Sequence, residues 1–314
     1  MIGYLIRRLA MTIPTILLVA AAVFVLVRLI PGDPVSLLLG EDADPAQVIE
    51  LRASLGLEEP IPVQFGYWLA KVAGGDFGVS IASDRPVLPL ILQRFQVSAS
   101  IVIGAVGLAV LVAVPAGLIA GWKQNRGVDF AIVTVATLLL SIPSFWLGLL
   151  MLLVFGIKLG WLPVVGYVTF GDDFWRALGY IVLPVATLTM IEIGVLTRMA
   201  RASAIEVMRL EYVTHARAKG LAEWQVLARH VLPNAFAPTW TLVGLILGNL
   251  LGGIAVIETV FTLPGLGRLL VDSIYARDYP VVQGCLLFTA VIYVLVNLIV
   301  DLCYPLFDPR VSAE

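Results

Sequence analysis

Charge is the scarcest property of this chain. Asp, Glu, Lys and Arg together supply 13% of its 314 residues, whereas 60% are hydrophobic. A water-soluble domain of this length does not carry so little charge, and a mean hydropathy of +0.98 marks an integral membrane protein. A basic excess is missing too: 20 Lys and Arg against 22 Asp and Glu give a net charge of -2, which excludes the electrostatic footprint that nucleic acid requires. Histidine occurs only at His215 and His230, with no cysteine nearby in sequence to complete a zinc site. Cys285 and Cys303, the two cysteines, fall on one expected helix, about 27 Å apart at 1.5 Å per residue, so no disulfide joins them. There is no GxxxxGK[ST] loop, so any ATP the function needs is bound by another chain. No catalytic constellation is present, and the chain is expected to be neither an enzyme nor a metal or cofactor binder.

What the chain has in abundance is long apolar stretches. Six of them, roughly 9–30, 97–121, 130–156, 178–197, 239–261 and 283–304, approach or exceed the ~20 residues that cross a bilayer. The expectation is an all-α fold of six transmembrane helices, organised as a first helix within 1–30, a connection over 31–96 and a five-helix core over 97–314. The first stretch follows Arg7 and Arg8 like a signal peptide, but it is long and has no small-residue cleavage site before Pro31, so it reads as a retained anchor. Pro115, Pro143 and Pro184 fall inside spans and are expected to kink them.

Positive charge sets the orientation, because Lys and Arg near span ends favour the cytoplasm. Placing Arg7 and Arg8 inside puts both termini inside with an even span count, together with the connection holding Lys123 and Arg126. The connection from Arg198 to about Pro238 also falls inside; Arg198, Arg201, Arg209, Arg217, Lys219 and Arg229 outnumber Glu206, Glu211 and Glu223 there. From Pro31 to Gln96, by contrast, four basic residues face nine acidic ones. That acidic connection is expected to form a small extracytoplasmic cap. Asp44 and Pro45 can start a helix toward Ala53, Pro62 can open another toward Val72, and Leu51, Leu55, Phe65, Trp68 and Leu69 supply apolar faces.

The inner connection is the only long polar segment that favours helix. It reads EYVTHARAKGLAEWQVLARHVLPNAFAP from Glu211, with a first helix ended by Gly220 and a second over Leu221 to Leu232 limited by Pro233. A helix-turn-helix exposed beside a membrane core is most simply explained by a partner that grips it.

Within the spans, Glu192, Glu258 and Asp301 are expensive ionisable groups that mark either a pathway or an unremarkable neighbour. Glu258 and Asp301 lie near expected span ends within reach of water, leaving Glu192 as the pathway candidate. Gly244, Gly248 and Gly252 recur every fourth residue, as do Gly117 and Gly121; such spacing serves close helix packing or a cavity face, with Asn249 a polar contact on the latter.

Several motifs together resemble the membrane subunits of binding-protein-dependent ABC importers, specifically the B-type subunit of the dipeptide, oligopeptide and nickel permease family. They are YLIRRL from Tyr4, RLIPGDP from Arg28, LGLEEPIPVQF, GGDFGVSI, PSFWLGLL from Pro143, GWLPVVGY from Gly160, ARAKGL from Ala216, TLPGLGRLL and RDYPVVQG. The resemblance covers nearly the whole chain. Importer permeases share a cytoplasmic signature of EAA, three residues, Gly, nine residues and I-x-L-P. Here Ala216, Gly220, Leu232 and Pro233 match it, whereas Thr214, His215 and His230 depart.

The resemblance implies a type I ABC importer permease fold in a bacterial inner membrane. It makes Ala216, Arg217, Lys219, Gly220, Leu221, Leu232 and Pro233 the element that docks on an ATPase; Glu192, Gly248, Asn249 and Gly252, singled out from the residues themselves, are the candidate pathway residues. It also implies a second, C-type permease, two ATP-binding subunits that carry the ATP and Mg, and an outer substrate-binding protein. The solute would be a di- or oligopeptide or a related small molecule. A six-span secondary carrier or channel is the alternative, and it leaves the inner helix-turn-helix without a task.

Overall fold

The computed structural model describes residues 2–29, 44, 46 and 58–304, with side chains from Arg8 onward. The helix expected from Pro45 to Ala53, with Leu51 and Leu55, lies outside the described residues. The described chain is helical: α1 (Ile2–Leu29), α2 (Ile61–Ala73), α3 (Val87–Trp122), α4 (Gly127–Ser141), α5 (Ser144–Met151), α6 (Phe174–Met208), α7 (Glu211–Ala218), α8 (Glu223–Val226), α9 (Leu232–Gly253), α10 (Ala255–Val260), α11 (Leu266–Tyr275) and α12 (Tyr279–Cys303). Two π-helical stretches, Leu152–Lys158 and Leu227–Val231, follow α5 and α8. Among the described residues the only β contact is an isolated bridge between Val79 and Pro86.

Among the described residues, five helical runs are long and apolar enough to cross a membrane, and the pair Gly127–Ser141 and Ser144–Lys158, bent by 95°, makes a sixth if it counts as one crossing. The bend falls at Pro143, which forces Ile142 into an extended conformation (φ -88°, ψ 126°). Pro115 and Pro184 instead lie inside uninterrupted helices. Two expected boundaries are corrected. The span predicted over 178–197 is a helix over Phe174–Met208 that runs on through Arg198 and Arg201. Its extension is supported because Arg201 donates two hydrogen bonds of 2.6 and 2.7 Å to Asp129 at the start of α4, so its charge is compensated where the helix is buried.

Pro233 does not limit the helix after Gly220. Helical structure continues from Glu223 to Gly253. The widened π turn immediately before α9, in which the Leu232 N–H bonds the Leu227 carbonyl, accommodates the proline ring, and Asn234 Nδ2 donates to the His230 carbonyl at 2.9 Å.

Small residues set the helix spacing. A methyl group at Gly117 would fall 2.6 Å from the Ala200 side chain, and one at Gly121 would fall 3.0 Å from that of Ala204, so α3 and α6 pack almost backbone to backbone. Thr189 reinforces the pair by donating to the Ala105 carbonyl. On α9, Gly244 abuts Val300 and Gly248 lies against the Tyr293 ring of α12, while Trp240 Nε1 donates to the Val300 carbonyl at 3.2 Å. The main core fills the space between α3, α6, α9 and α10, with Ile101, Leu196, Ile254 and Ile257 nearly inaccessible. At its edge, α1 packs on α12. Arg8 pairs with Asp301 at 2.8 Å, and Phe24 meets Phe65 and Trp68 of α2 with ring centroids 5.3 and 5.5 Å apart.

These contacts define two ends. One gathers Arg8, Asp301, Trp240, the end of α3 and residues 208–231. The other gathers α2, α10, α11 and the loops that lead into α3 and α12.

At the second end Glu258 is fully buried, which corrects the expectation that water reaches it. It accepts hydrogen bonds from Ser98 Oγ and from the backbone N–H groups of Arg268 (2.8 Å) and Gly267. Ser98 Oγ in turn accepts from the Leu266 N–H at 2.8 Å. A side chain at Gly265 would overlap the carboxylate, so the Pro264–Gly267 turn is folded around Glu258. Asp278, also buried, accepts from Ser80 Oγ at 2.6 Å and from the N–H groups of Ile81 and Ala82, tying the loop before α3 to the start of α12.

Candidate functional site

At the first end, the chain leaves α6 through Arg209 and Leu210, whose N–H groups bond the Glu206 and Val207 carbonyls, and re-enters helix at Glu211. Val213 and Ala216, three apart and so on one face of α7, bury themselves against Ala204, Val207, Val226, Val231 and Ala235. The other face is solvated. Gly220, with its N–H on the Arg217 carbonyl, adopts φ +78°, and no atom lies within 4 Å of where a side chain would begin. Glycine is therefore demanded by the left-handed backbone of a helix C-terminus, not by crowding. Across this turn Arg217 Nε meets Glu223 Oε1 at 2.8 Å, with both partners partly exposed, a contact worth about 0.2–1 kcal/mol. Gln225 Oε1 accepts from the Ala222 N–H and closes the start of the next helix.

The turn thus presents Arg217, Lys219, Gly220 and Leu221 on one outward surface, while Ala216 sits beneath it in the local core. Sequence reasoning missed three other members. Trp224 is 65% exposed beside Leu221, and Leu210 and Tyr212 are also exposed; a tryptophan inside an otherwise polar segment was the available signal. Leu232 is half-buried and Pro233 exposed, both at the base of α9. Such a surface offers apolar anchors ringed by charge, the composition of a protein contact. Among the described residues no group of three or more His, Cys, Asp or Glu is placed to hold a metal.

Residues 113–313 match the family described as the inner membrane component of binding-protein-dependent transport systems, and residues 1–102 match the N-terminal part of such membrane components. The chain belongs to this family of inner-membrane permeases. It is 40% identical over its full length, and that of the relative, to a putative peptide transport system permease protein of Brucella suis. It is 43% identical over 312 residues, 99% of both chains, to the glutathione transport system permease protein GsiC of Escherichia coli. Among solved structures, the inward-facing MetNI methionine ABC transporter resembles it with a TM-score of 0.58 at 16% identity, over 70% of this chain and 97% of the other, which is a likeness of fold.

Within the permease, the four pathway candidates do not gather at one cavity. Glu192 is buried near the middle of α6, with no hydrogen bond or ion pair to a described residue. Gly248 is covered by Tyr293, whereas Asn249 and Gly252 lie on the exposed side of α9. Two cavities lie elsewhere. One, of about 260 Å³, is lined by Arg94, Pro264, Gly265, Arg268, Leu269 and Asp272. The other, of about 210 Å³, opens between α1 and α12 beside Arg8, Tyr293, Asn297 and Asp301.

Proposed function

We propose that this permease subunit forms half of the translocation pathway of an ATP-driven importer that receives peptides or related small solutes from a binding protein. In this reading α4 and the helices after Pro143 form one bent crossing, which gives six spans with both termini in the cytoplasm. The exposed surface around Gly220 and Trp224 is the docking element for an ATP-binding subunit, and a second permease supplies the other half of the path. The observation that carries the reading is the α7–α8 turn: a solvated, aromatic-bearing surface anchored on its own small core at the end of a membrane bundle. Permease relatives named for peptide and glutathione transport support the solute class.

The mechanism follows from differential binding. ATP closes the ATPase pair, which favours the permease state whose docking elements are drawn together, and hydrolysis releases it, so access alternates between the two sides. Ala216, fixed in the buried cluster, transmits displacement of the surface into α6 and α9, because that cluster contains residues of both. The test is uptake of a labelled peptide mixture into vesicles holding this chain, a second permease, the ATPases and the binding protein. Uptake that needs both ATP and binding protein is expected. Uptake by this chain alone, without nucleotide, would point to a secondary carrier or channel and refute the reading.

A further inference from the structure

The 260 Å³ cavity where α3 meets α11 lies at the end of the bundle opposite the docking surface. Arg94 stands one helical turn before Ser98, the residue of α3 that holds Glu258 and the Leu266 N–H, so it shares the face turned toward α11. Its guanidinium has no hydrogen-bond or ion-pair partner among the described residues. Arg268 approaches the cavity from the other wall. Its guanidinium lies 3.6 Å from the Asp272 carboxylate, too far for a hydrogen bond. The backbone N–H groups of Leu266 and Arg268 are already taken by Ser98 and Glu258, so the turn supplies a fixed wall and the two side chains supply the charge.

Two arginines line one cavity, and the two carboxylates beside them are Asp272, 3.6 Å from the Arg268 guanidinium, and Glu258, whose oxygens already accept from Ser98 and the Arg268 N–H; such a pair of guanidinium groups matches an anion with paired oxygens. The volume exceeds the ~30 Å³ share of a water molecule several-fold and accommodates a carboxylate with its adjoining atoms. Arg94 precedes Trp122 by about 42 Å of helix at 1.5 Å per residue, more than the ~30 Å hydrocarbon core, so the cavity is a mouth and not a mid-membrane site.

We propose that Arg94 and Arg268 form a subsite that receives the carboxylate of the transported solute as it leaves the binding protein. The proposal rests on the importer reading. A lipid phosphate presents similar oxygens, and the test separates the two sources.

Wild-type complex, Arg94→Gln, Arg268→Gln and Arg94→Lys are reconstituted with ATPases and binding protein in vesicles of phosphatidylcholine, with or without phosphatidylglycerol. The probe is glutathione with a mixture of short peptides, each supplied as free acid and as C-terminal amide, and uptake is read by mass spectrometry. Wild type is expected to accumulate free acids. Each Gln variant should lose at least about tenfold of that uptake and Arg94→Lys, which keeps the charge but not the guanidinium fork, should fall between them and wild type, while loaded binding protein still stimulates ATP hydrolysis in all of them. Unchanged free-acid uptake by the Gln variants overturns the proposal. So does loss of the ATPase stimulation, which would make the arginines a binding-protein contact, or a defect that appears only with phosphatidylglycerol and ignores the end group, which would assign the anion to lipid. Absence of ATP-dependent uptake in wild type is a separate result that removes the importer reading and the subsite with it.

Discussion

Replacing Glu258 by alanine tests whether one buried carboxylate holds the α10–α11 turn. The substitution removes the acceptor for Ser98 Oγ and for the N–H groups of Arg268 and Gly267 at a position with 0% exposure. Each buried donor left unsatisfied costs about 1–3 kcal/mol, so two or three of them sum to about 2–9 kcal/mol. At roughly 2–4 °C per kcal/mol for a chain of this size, thermal unfolding of the detergent-purified complex should fall by on the order of 10 °C or more. Glu258→Gln keeps one carbonyl acceptor but points an amide N–H at a backbone donor, and should fall by about a third of that. Gly265→Ala should imitate the alanine variant from the other side, because its methyl group overlaps the carboxylate. A melting temperature for Glu258→Ala within about 2 °C of wild type would refute the reasoning, since the hydrogen bonds would then carry no net stability.

Other perturbations follow from the same geometry. Gly220→Trp meets open space but must adopt a left-handed backbone, costing about 1–2 kcal/mol; the complex should assemble and hydrolyse ATP while peptide uptake is lost, and normal uptake would sink the docking assignment. Asp129→Asn and Arg201→Gln should each cost about 2–3 kcal/mol in denaturant unfolding, and the double variant less than their sum, because each single change strands its partner. Gly248→Val presses on the Tyr293 ring and should destabilise by about 1–3 kcal/mol, with Tyr293→Ala in the same chain recovering part of the loss; no recovery would mean that the two residues are not packed together.

What the sequence made legible was local. Runs of apolar residues revealed the long helices, Pro143 announced the break in the third stretch, and Gly220 marked the end of α7 because a left-handed residue needs no distant partner to be recognised. Pro62 opened α2 as expected, with Phe65 and Trp68 on its packed face. Two of the misreadings involve partners far along the chain. Glu258 looked solvent-reached because Ser98 is 160 residues away, and α6 was cut short because Arg201 finds Asp129 72 residues earlier. Pro233 was read as a stop, since nothing in the sequence announces that a π turn will make room for it. At the α7–α8 turn the glycine and its neighbours were visible, while Trp224 was passed over although a tryptophan inside a polar segment was a signal for it.

The uninterrupted helix from Glu223 to Gly253 makes a lever of what sequence reading divided into loop and span. Its 31 residues extend about 46 Å, with Trp224 near one tip and the other tip just before the turn built on Glu258. If it pivots as a rigid rod near Trp224, a tilt of about 10° sweeps the far tip through about 8 Å. Motion of an ångström or two near Trp224 would therefore arrive magnified at the turn that lines the cavity with Arg94 and Arg268.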